Sequence, residues 1–443
     1  MADQSIIRIT KELGELQKNA DLSLAVACRD TDVRNIKAII IGPHETPYEF
    51  GFFEFSFKFH REYPRKAPGV SAITTNGGRC RFNPNIYASG RVCLSILGTW
   101  RGEPGEEWSA AQGLESILLS IQSLMSSNPY ENEPGFEDAN GPQDKKYQKE
   151  YVQKIRHETL RISVIQRLEQ YLQIGPDGKV NVAPASSDDY DVDFESLEGG
   201  ATFEPFKDLF KRRFLWYYES YLAAIHKASQ EVQEGQAFSR MPFEGSGNNM
   251  EGVFHYAQLE RRLKNIKRVL DEEPVQWAAQ GTLPAQQEET VAVNLKRQLA
   301  QVRENYKQHS IPHNVELENG NPFVWVFTYF GRPMTNMDGG LFRIRINLSS
   351  KFPEEQPRVK FETSLFHLRI ASDGTPCYWP PPNKRESMQA HLDAIVEMLE
   401  EESPPYDPRT LVHPEAFSLF WGSDTQKKQY RQRLRRSVQA SIE

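Results

Sequence analysis

The sequence predicts an α+β protein in which one domain type, an antiparallel meander flanked by helices, occurs twice with a helical extension between the copies. Three observations carry this. The segment GFFEFSFKF at 51–59 alternates apolar and polar residues in period two, as a half-buried strand does. Apolar residues recur at helical intervals on either side of the strand-rich stretch. The order helix, strands, aromatic-Pro, cysteine, helix, seen between residues 4 and 125, returns after residue 290 although few residues are identical.

In the first copy, Ile6, Ile7, Ile9, Leu13 and Leu16 mark an amphipathic helix over 4–18, with Arg8, Lys11, Glu12 and Lys18 available for a wet face. Strands follow at 22–28, 35–41 and 51–59, the last two separated by Gly42-Pro43 and Thr46-Pro47. A Pro- and Gly-rich loop is expected from Tyr63 to Asn85, then an extended stretch around Cys93. A helix is expected within 110–125, ended by Asn128-Pro129.

Residues 142–173 read as one or two further helices. An acidic loop follows near 175–200, with Asp188, Asp189, Asp191, Asp193, Glu195 and Glu198 among Pro, Ser and Gly. Helical character returns from Phe203 to about Leu270, interrupted by a Gly-rich loop at 244–252, and AAQGTLPAQQEE reads as a linker. The second copy then supplies a helix at 290–308, strands at 314–318, 323–330 and 340–348, Phe352-Pro353 in the place of Tyr63-Pro64, Cys377, a helix at 387–402 and terminal helices.

Length and composition bound the function. A chain of 443 residues is too long for one ordinary core and suggests about two to four domains. Fifty-three basic and 60 acidic side chains give a net charge of −7, with no broad positive field for nucleic acid. No run reaches the roughly 20 apolar residues of a membrane span. The N-terminus has no signal-like apolar stretch, so the cytoplasm or nucleus is the expected compartment. Four cysteines, Cys28, Cys80, Cys93 and Cys377, form no CxxC pair and no Cys/His cluster, which argues against structural zinc, another metal site or a disulfide framework.

RFNPNIYASGRVCLSILGTW, at 81–100, contains the strongest candidate site. Asn85 precedes Cys93 by eight residues and Gly90 supplies a turn between them. Acyl transfer through sulfur needs an accessible thiol and a preorganised donor for developing negative charge, and a neutral Asn amide is such a donor. Spacing alone leaves a second reading open, in which Cys93 is a small buried hydrophobe.

With its N-terminal helix, IIIGPHETPYEFGFFEF, FKFHREYPRKAPGV, FNPNIYASGRVCLSIL, Trp108 and SILLSIQSLMSSNP, the chain resembles the ubiquitin-conjugating enzymes. Over about the first 270 residues it is most similar to the Z-type branch. The resemblance rests on NPN before the cysteine, LGTW after it, NPYENEPGFE after the long helix and IRHETLR at 155–161.

The resemblance implies two UBC folds, each an antiparallel four-stranded meander flanked by helices. It divides the chain into a catalytic domain at 1–140, a helical extension at 141–275 carrying the acidic loop, a linker at 276–288 and a degenerate second UBC-like domain at 289–443. By the same resemblance Cys93 accepts ubiquitin or a ubiquitin-like modifier from an activating enzyme as a thioester, and Asn85 supports transfer to lysine or the loop itself. Asn83, in a position generally structural, receives no catalytic role.

Arg8, Lys11 and Lys18 fall on the surface that would meet the activating enzyme. Tyr63, Arg65 and Trp108 fall where a ubiquitin ligase would dock, although Arg65 and Ala110 depart from the family's usual apolar residue and proline. Glu131 is the candidate for orienting the incoming lysine of a protein substrate. The reaction calls for no cofactor in this chain, ATP being used by the activating enzyme upstream.

The second copy, FETSLFHLRIASDGTPCYWPPP at 361–382, keeps the register with a damaged motif, so Cys377 reads either as a second acceptor or, the favoured reading, as an inactive residue of a domain kept for binding. His367 lies ten residues before Cys377 and Gly374 marks the turn, but Leu368-Arg369 replaces Pro-Asn. Loss of one oxyanion donor costs about 10²- to 10³-fold in rate. Arg369 is expected to depress the Cys377 thiol by proximity without making a competent transfer site. The alternative for the whole chain is a noncatalytic UBC-fold scaffold; the intact Asn85…Cys93 pair favours the enzyme.

Overall fold

The computed structural model describes residues 3–19, 21–102, 105–181, 203–245, 250–287 and 289–442. The chain divides into two compact units, Met1–Phe210 with Lys227–Ile266, and Lys211–His226 with Lys267–Glu443. The acidic residues expected at 188–198 lie outside the described residues.

In the first unit, helix α1 (Gln4–Lys18) begins where the Asp3 carboxylate accepts the Ser5 N–H at 3.0 Å, an N-cap that occupies a donor the helix itself leaves free. Strands β1 (Leu24–Arg29), β2 (Asp32–Ile41), β3 (Phe52–Lys58) and β4 (Gly69–Ala72) pair antiparallel in that order. The register sets Ile36, Ala38 and Ile40 opposite Phe57, Phe55 and Phe53. These join Ile9 and Leu13 of α1 and Ile117, Leu118 and Ile121 of α2 (Leu114–Leu124) in one core. Burial of such side chains stabilises by about 1.5–3 kcal/mol each.

The opposite face of the sheet is covered as well. Phe52 stacks on Phe210 at 4.4 Å, and Glu54 accepts from Arg167 at 2.8 and 3.0 Å. Arg167 opens α4 (Arg167–Leu172), which continues α3 (Pro142–Glu158) through a π-helical stretch at Thr159–Gln166. The alternation of 51–59 therefore sets the register without leaving a wet face.

Beyond α3 and α4 the extension continues with α5 (Lys207–Ser229) and α6 (Tyr256–Gln280). Its middle parts are shared: 211–226 and the end of α6 from 267 belong to the second unit. The stretch expected as a linker at 276–288 is largely helical, because α6 passes through Pro274 to Gln280 and α7 (Thr282–Gln286) follows. A helical proline costs about 3 kcal/mol. Here tertiary contacts offset it: Glu273 pairs with Lys211 and Arg358, and Trp277 is buried beneath the Arg358 guanidinium, 4.8 Å from its ring.

The second unit repeats the first sheet's topology. Helix α8 (Thr290–Gln308) leads into β5 (Asn314–Leu317), β6 (Val324–Phe330), β7 (Leu341–Asn347) and β8 (Arg358–Phe361), again antiparallel in sequence order. Trp325, Phe327 and Tyr329 face Ile346, Ile344 and Phe342 across β6 and β7, all fully buried. Helices α9 (Met388–Glu400), α10 (Pro414–Trp421) and α11 (Asp424–Ala440) close the unit. The residue pattern marks three strands in each copy and the resemblance implies a fourth; β4 supplies it from inside the expected Tyr63–Asn85 loop, and β8 follows Phe352-Pro353.

Candidate active site

The segment before Cys93 is folded back on itself as the Gly90 turn predicts. Gly90 has φ 87°, its N–H donates to Tyr87 O, and Tyr87 N–H donates to Arg91 O at 2.9 Å. A Cβ at Gly90 would lie 2.8 Å from the Ala72 carbonyl, so glycine is needed there for both conformation and space. The two arms meet at Asn85 and Cys93. Cys93 N–H donates to Asn85 O at 2.8 Å, and the Asn85 amide donates to Cys93 O at 3.1 Å.

Asn85 and Cys93 are thus brought together, with the Asn85 amide spent on the cysteine's own backbone carbonyl. Cys93 is 4% exposed. Thr99 holds its neighbours: the hydroxyl donates to Val92 O at 2.7 Å and accepts Leu94 N–H at 3.0 Å. Gly102 packs against Ser95, two residues beyond Cys93; residues 103–104 are outside the described residues.

Asn83 is fully buried and structural. Its amide donates to Tyr48 Oη at 3.0 Å and Leu124 O at 2.8 Å, and its oxygen accepts Asn85 N–H at 2.9 Å. Arg81, unremarked in the sequence, donates to Pro84 O at 2.5 and 3.2 Å and to the Glu133 carboxylate at 2.9 Å. Burial raises the Glu133 pKa, with Arg81 opposing the rise. Glu131 is exposed, and its described partner is the Asn128 amide at 2.6 Å; no described hydrogen bond or ion pair joins it to Asn85 or Cys93.

The predicted docking residues divide between surface and interior. Lys11 and Lys18 are exposed on α1, Lys11 within 3.7 Å of Glu15. Arg8 turns inward instead, pairing with buried Glu12 and donating to Gln112 O at 3.3 Å. Tyr63 is likewise a correction: it is 3% exposed and its hydroxyl donates to Glu12, so it supports the surface from below. Arg65 is exposed. Trp108 is half-buried and its indole N–H donates to Pro64 O at 2.7 Å, joining the two loops expected to form one ligase surface.

The second unit reproduces this backbone around Cys377. Cys377 N–H donates to Arg369 O at 2.7 Å, Arg369 N–H donates to His367 Nδ1 at 3.1 Å, and Gly374 has φ 86°. Both Tyr63-Pro64 and Phe352-Pro353 are cis. The chemistry differs. Cys377 has no exposed surface, and burial pushes its thiol up to about 12, outweighing the pull of Arg369 and Arg213. The expected depression by Arg369 is therefore overturned, and that guanidinium is engaged by Glu401 at 2.9 Å.

Among the described residues, no group of three or more His, Cys, Asp or Glu could hold a metal ion, and no helix is long and apolar enough to cross a membrane. The family model described as "Ubiquitin-conjugating enzyme" matches residues 8–159 and 294–435, one match in each meander-containing stretch. "Ubiquitin-conjugating enzyme E2 Z" of Xenopus tropicalis is 40% identical over 53% of this chain and 74% of its own length. The Danio rerio protein of that name is 38% identical over 61% and 70%. The Homo sapiens one is 37% identical over 60% of this chain and 64% of its own length.

Proposed function

The chain belongs to the ubiquitin-conjugating enzyme family, and from that premise we propose that Cys93 carries ubiquitin or a ubiquitin-like modifier as a thioester. The observation that supports this most is the reciprocal backbone and amide contact between Asn85 and Cys93, found in the first unit and missing its amide in the second. The Cys93 thiolate attacks the carbonyl of the activating enzyme's thioester. The new carbon–sulfur bond forms as the old one breaks, and the departing sulfur takes a proton from solvent. A lysine amine, or a ligase cysteine, then attacks the Cys93 thioester; Cys93 leaves as thiolate and the amine's surplus proton passes to solvent.

Asn85 holds the reacting cysteine's peptide in place through its bond to Cys93 O, and its neutral amide is the donor assigned to the developing charge. No cofactor is required in this chain, since ATP is spent upstream by the activating enzyme. Exposed Lys11 and Lys18, with Ile6 and Ile7 beside them, form the activating-enzyme surface. Arg65 and the Trp108–Pro64 junction form the ligase surface. The second unit serves as a binding module, a reading favoured by the buried, undepressed thiol of Cys377.

Incubation with activating enzyme, ATP and ubiquitin or a ubiquitin-like modifier, followed by non-reducing gels, tests the assignment. Wild type and Cys377→Ala form a thiol-sensitive adduct; Cys93→Ala forms none. Full adduct on Cys93→Ala, or none on wild type with any modifier, rules the assignment out.

A further inference from the structure

We infer that residues 239–245 and 250–255, which lie in the helical extension, are part of the transfer site's machinery and set the position of Asn85 through Arg81. The inference rests on the assignment of Cys93 as acceptor. Its geometry lies wholly within the first unit.

The peptide unit between Pro84 and Asn85 is gripped at both ends. Its carbonyl receives two hydrogen bonds from the Arg81 fork, and its N–H donates to Asn83 Oδ1. Fixing that plane fixes Asn85, whose carbonyl and amide in turn hold both sides of Cys93. A two-point grip restrains rotation as a single bond does not.

Arg81 is itself held by the extension. Its backbone N–H donates to Met250 Sδ at 3.2 Å, and Cys80 Sγ contacts the same sulfur at 3.4 Å. The guanidinium lies 4.2 Å from the Tyr87 ring and 5.9 Å from the Phe243 ring. Phe243 packs among Tyr130, Phe136 and Tyr151 at 5.4–5.7 Å. Met241 and Met250 are 2% and 6% exposed and belong to the core of the β1–β4 sheet.

Buried polar contacts anchor the segment to α3. Lys154, with no exposed surface, pairs with Glu244 at 2.6 Å and donates to Ser239 O at 2.9 Å; His157 Nε2 accepts His255 N–H at 3.1 Å. The second copy supplies an internal comparison. In the register that matches Cys93 to Cys377, Leu365 stands at the Arg81 position, so the unit without the Asn also lacks the arginine fork.

Arg81, Phe243 and Met250 are accordingly positioning residues. The test is single-turnover discharge: full-length wild type, Phe243→Ala, Phe243→Leu and Arg81→Lys are loaded with ubiquitin, ATP is removed, and free lysine is added. Only folded protein loads, so lost folding lowers yield while lost positioning lowers rate. Phe243→Ala and Arg81→Lys should discharge about 10-fold more slowly at saturating lysine, with half-saturation unchanged and Phe243→Leu close to wild type.

Amide exchange on the unloaded proteins provides a reading independent of loading. It should quicken at 82–94 and stay near wild type in β1–β3. Wild-type discharge rates in both Phe243→Ala and Arg81→Lys, or exchange quickened equally across the sheet, overturn the inference. Absence of any thioester on wild-type Cys93 is seen before a variant is compared, and removes the underlying assignment with it.

Discussion

A single position shows how much one side chain changes when the backbone around it is repeated. His367 accepts Arg369 N–H through Nδ1 as Asn83 accepts Asn85 N–H through Oδ1. An asparagine does this without titrating. Burial, with Arg369 and His413 adding to it, pushes His367 down to about 3, and burial pushes His391 down to about 4. Above pH 6.5 both histidines are neutral in folded and unfolded chains and cost nothing. As pH falls from 6.5 toward 3, the unfolded chain takes up a proton that His367 refuses, so stability is lost across that window, by about 1.4 kcal/mol per unit for one such group. His367→Asn keeps the acceptor and removes the proton. Urea unfolding of the second unit, followed by tryptophan fluorescence between pH 7 and 4, should show a shallower loss in the variant; an unchanged slope refutes the role. Cys93 and Asn85 were legible in the sequence because their function needs a fixed spacing along one segment. Arg81 was not: nothing local distinguishes it from a surface arginine, and Glu133, Phe243 and Met250, which it meets, lie far along the chain.

Among elements, the junction of α1, α2 and the Tyr63 loop depends on one carboxylate. Glu12 accepts the Tyr63 hydroxyl at 2.8 and 2.7 Å and the Leu114 N–H at 2.9 Å, and pairs with Arg8. It therefore satisfies an amide at the start of α2 that has no partner within that helix. Gly113 allows the approach, since a Cβ there would meet the carboxylate at 2.9 Å. Glu12→Ala strands a buried hydroxyl, a helix-end amide and a half-buried cation, and should cost about 3 kcal/mol in denaturant unfolding. Lys11→Ala, one position away and exposed, should fall within about 0.5 kcal/mol of wild type. Equal effects would mean that α1 is held by its apolar face alone. Helix periodicity marked α1 correctly but could not say which polar residues it buries, so Arg8 and Tyr63 read as surface while both serve this junction. Strands were legible where alternation stood between turn signals, the four-residue β5 among them, whereas β4 sits within a Pro- and Gly-rich stretch that reads as loop.

At the scale of the whole molecule, sequence order and structural unit do not coincide. The repeat suggests that a second domain could be cut out at residue 289, because the copy's first helix begins at Thr290 and a Gly- and Pro-containing stretch precedes it. The second unit nevertheless includes 211–226 and the chain from 267. Within it, Tyr217 Oη donates to Arg409 O at 2.8 Å, Glu219 accepts Ser372 N–H at 2.7 Å, and Trp216 lies 6.4 Å from Trp379. Glu273 pairs with Arg358, which is 4% exposed, and Lys267 pairs with Asp373 at 2.8 Å. A fragment of residues 289–443 loses all of these. Loss of Glu273 and of the Trp277 ring uncovers Arg358 and the apolar surface those segments bury, against only about 5–15 kcal/mol that holds a domain folded. Trp379 would lose its cover at the same time. The fragment 289–443 should therefore bind a hydrophobic dye and melt without a sharp transition, whereas 207–443, which restores both missing segments, should unfold cooperatively. A cooperative transition in 289–443 at the temperature of the second unit in the full chain would show instead that those two segments contribute nothing to its stability.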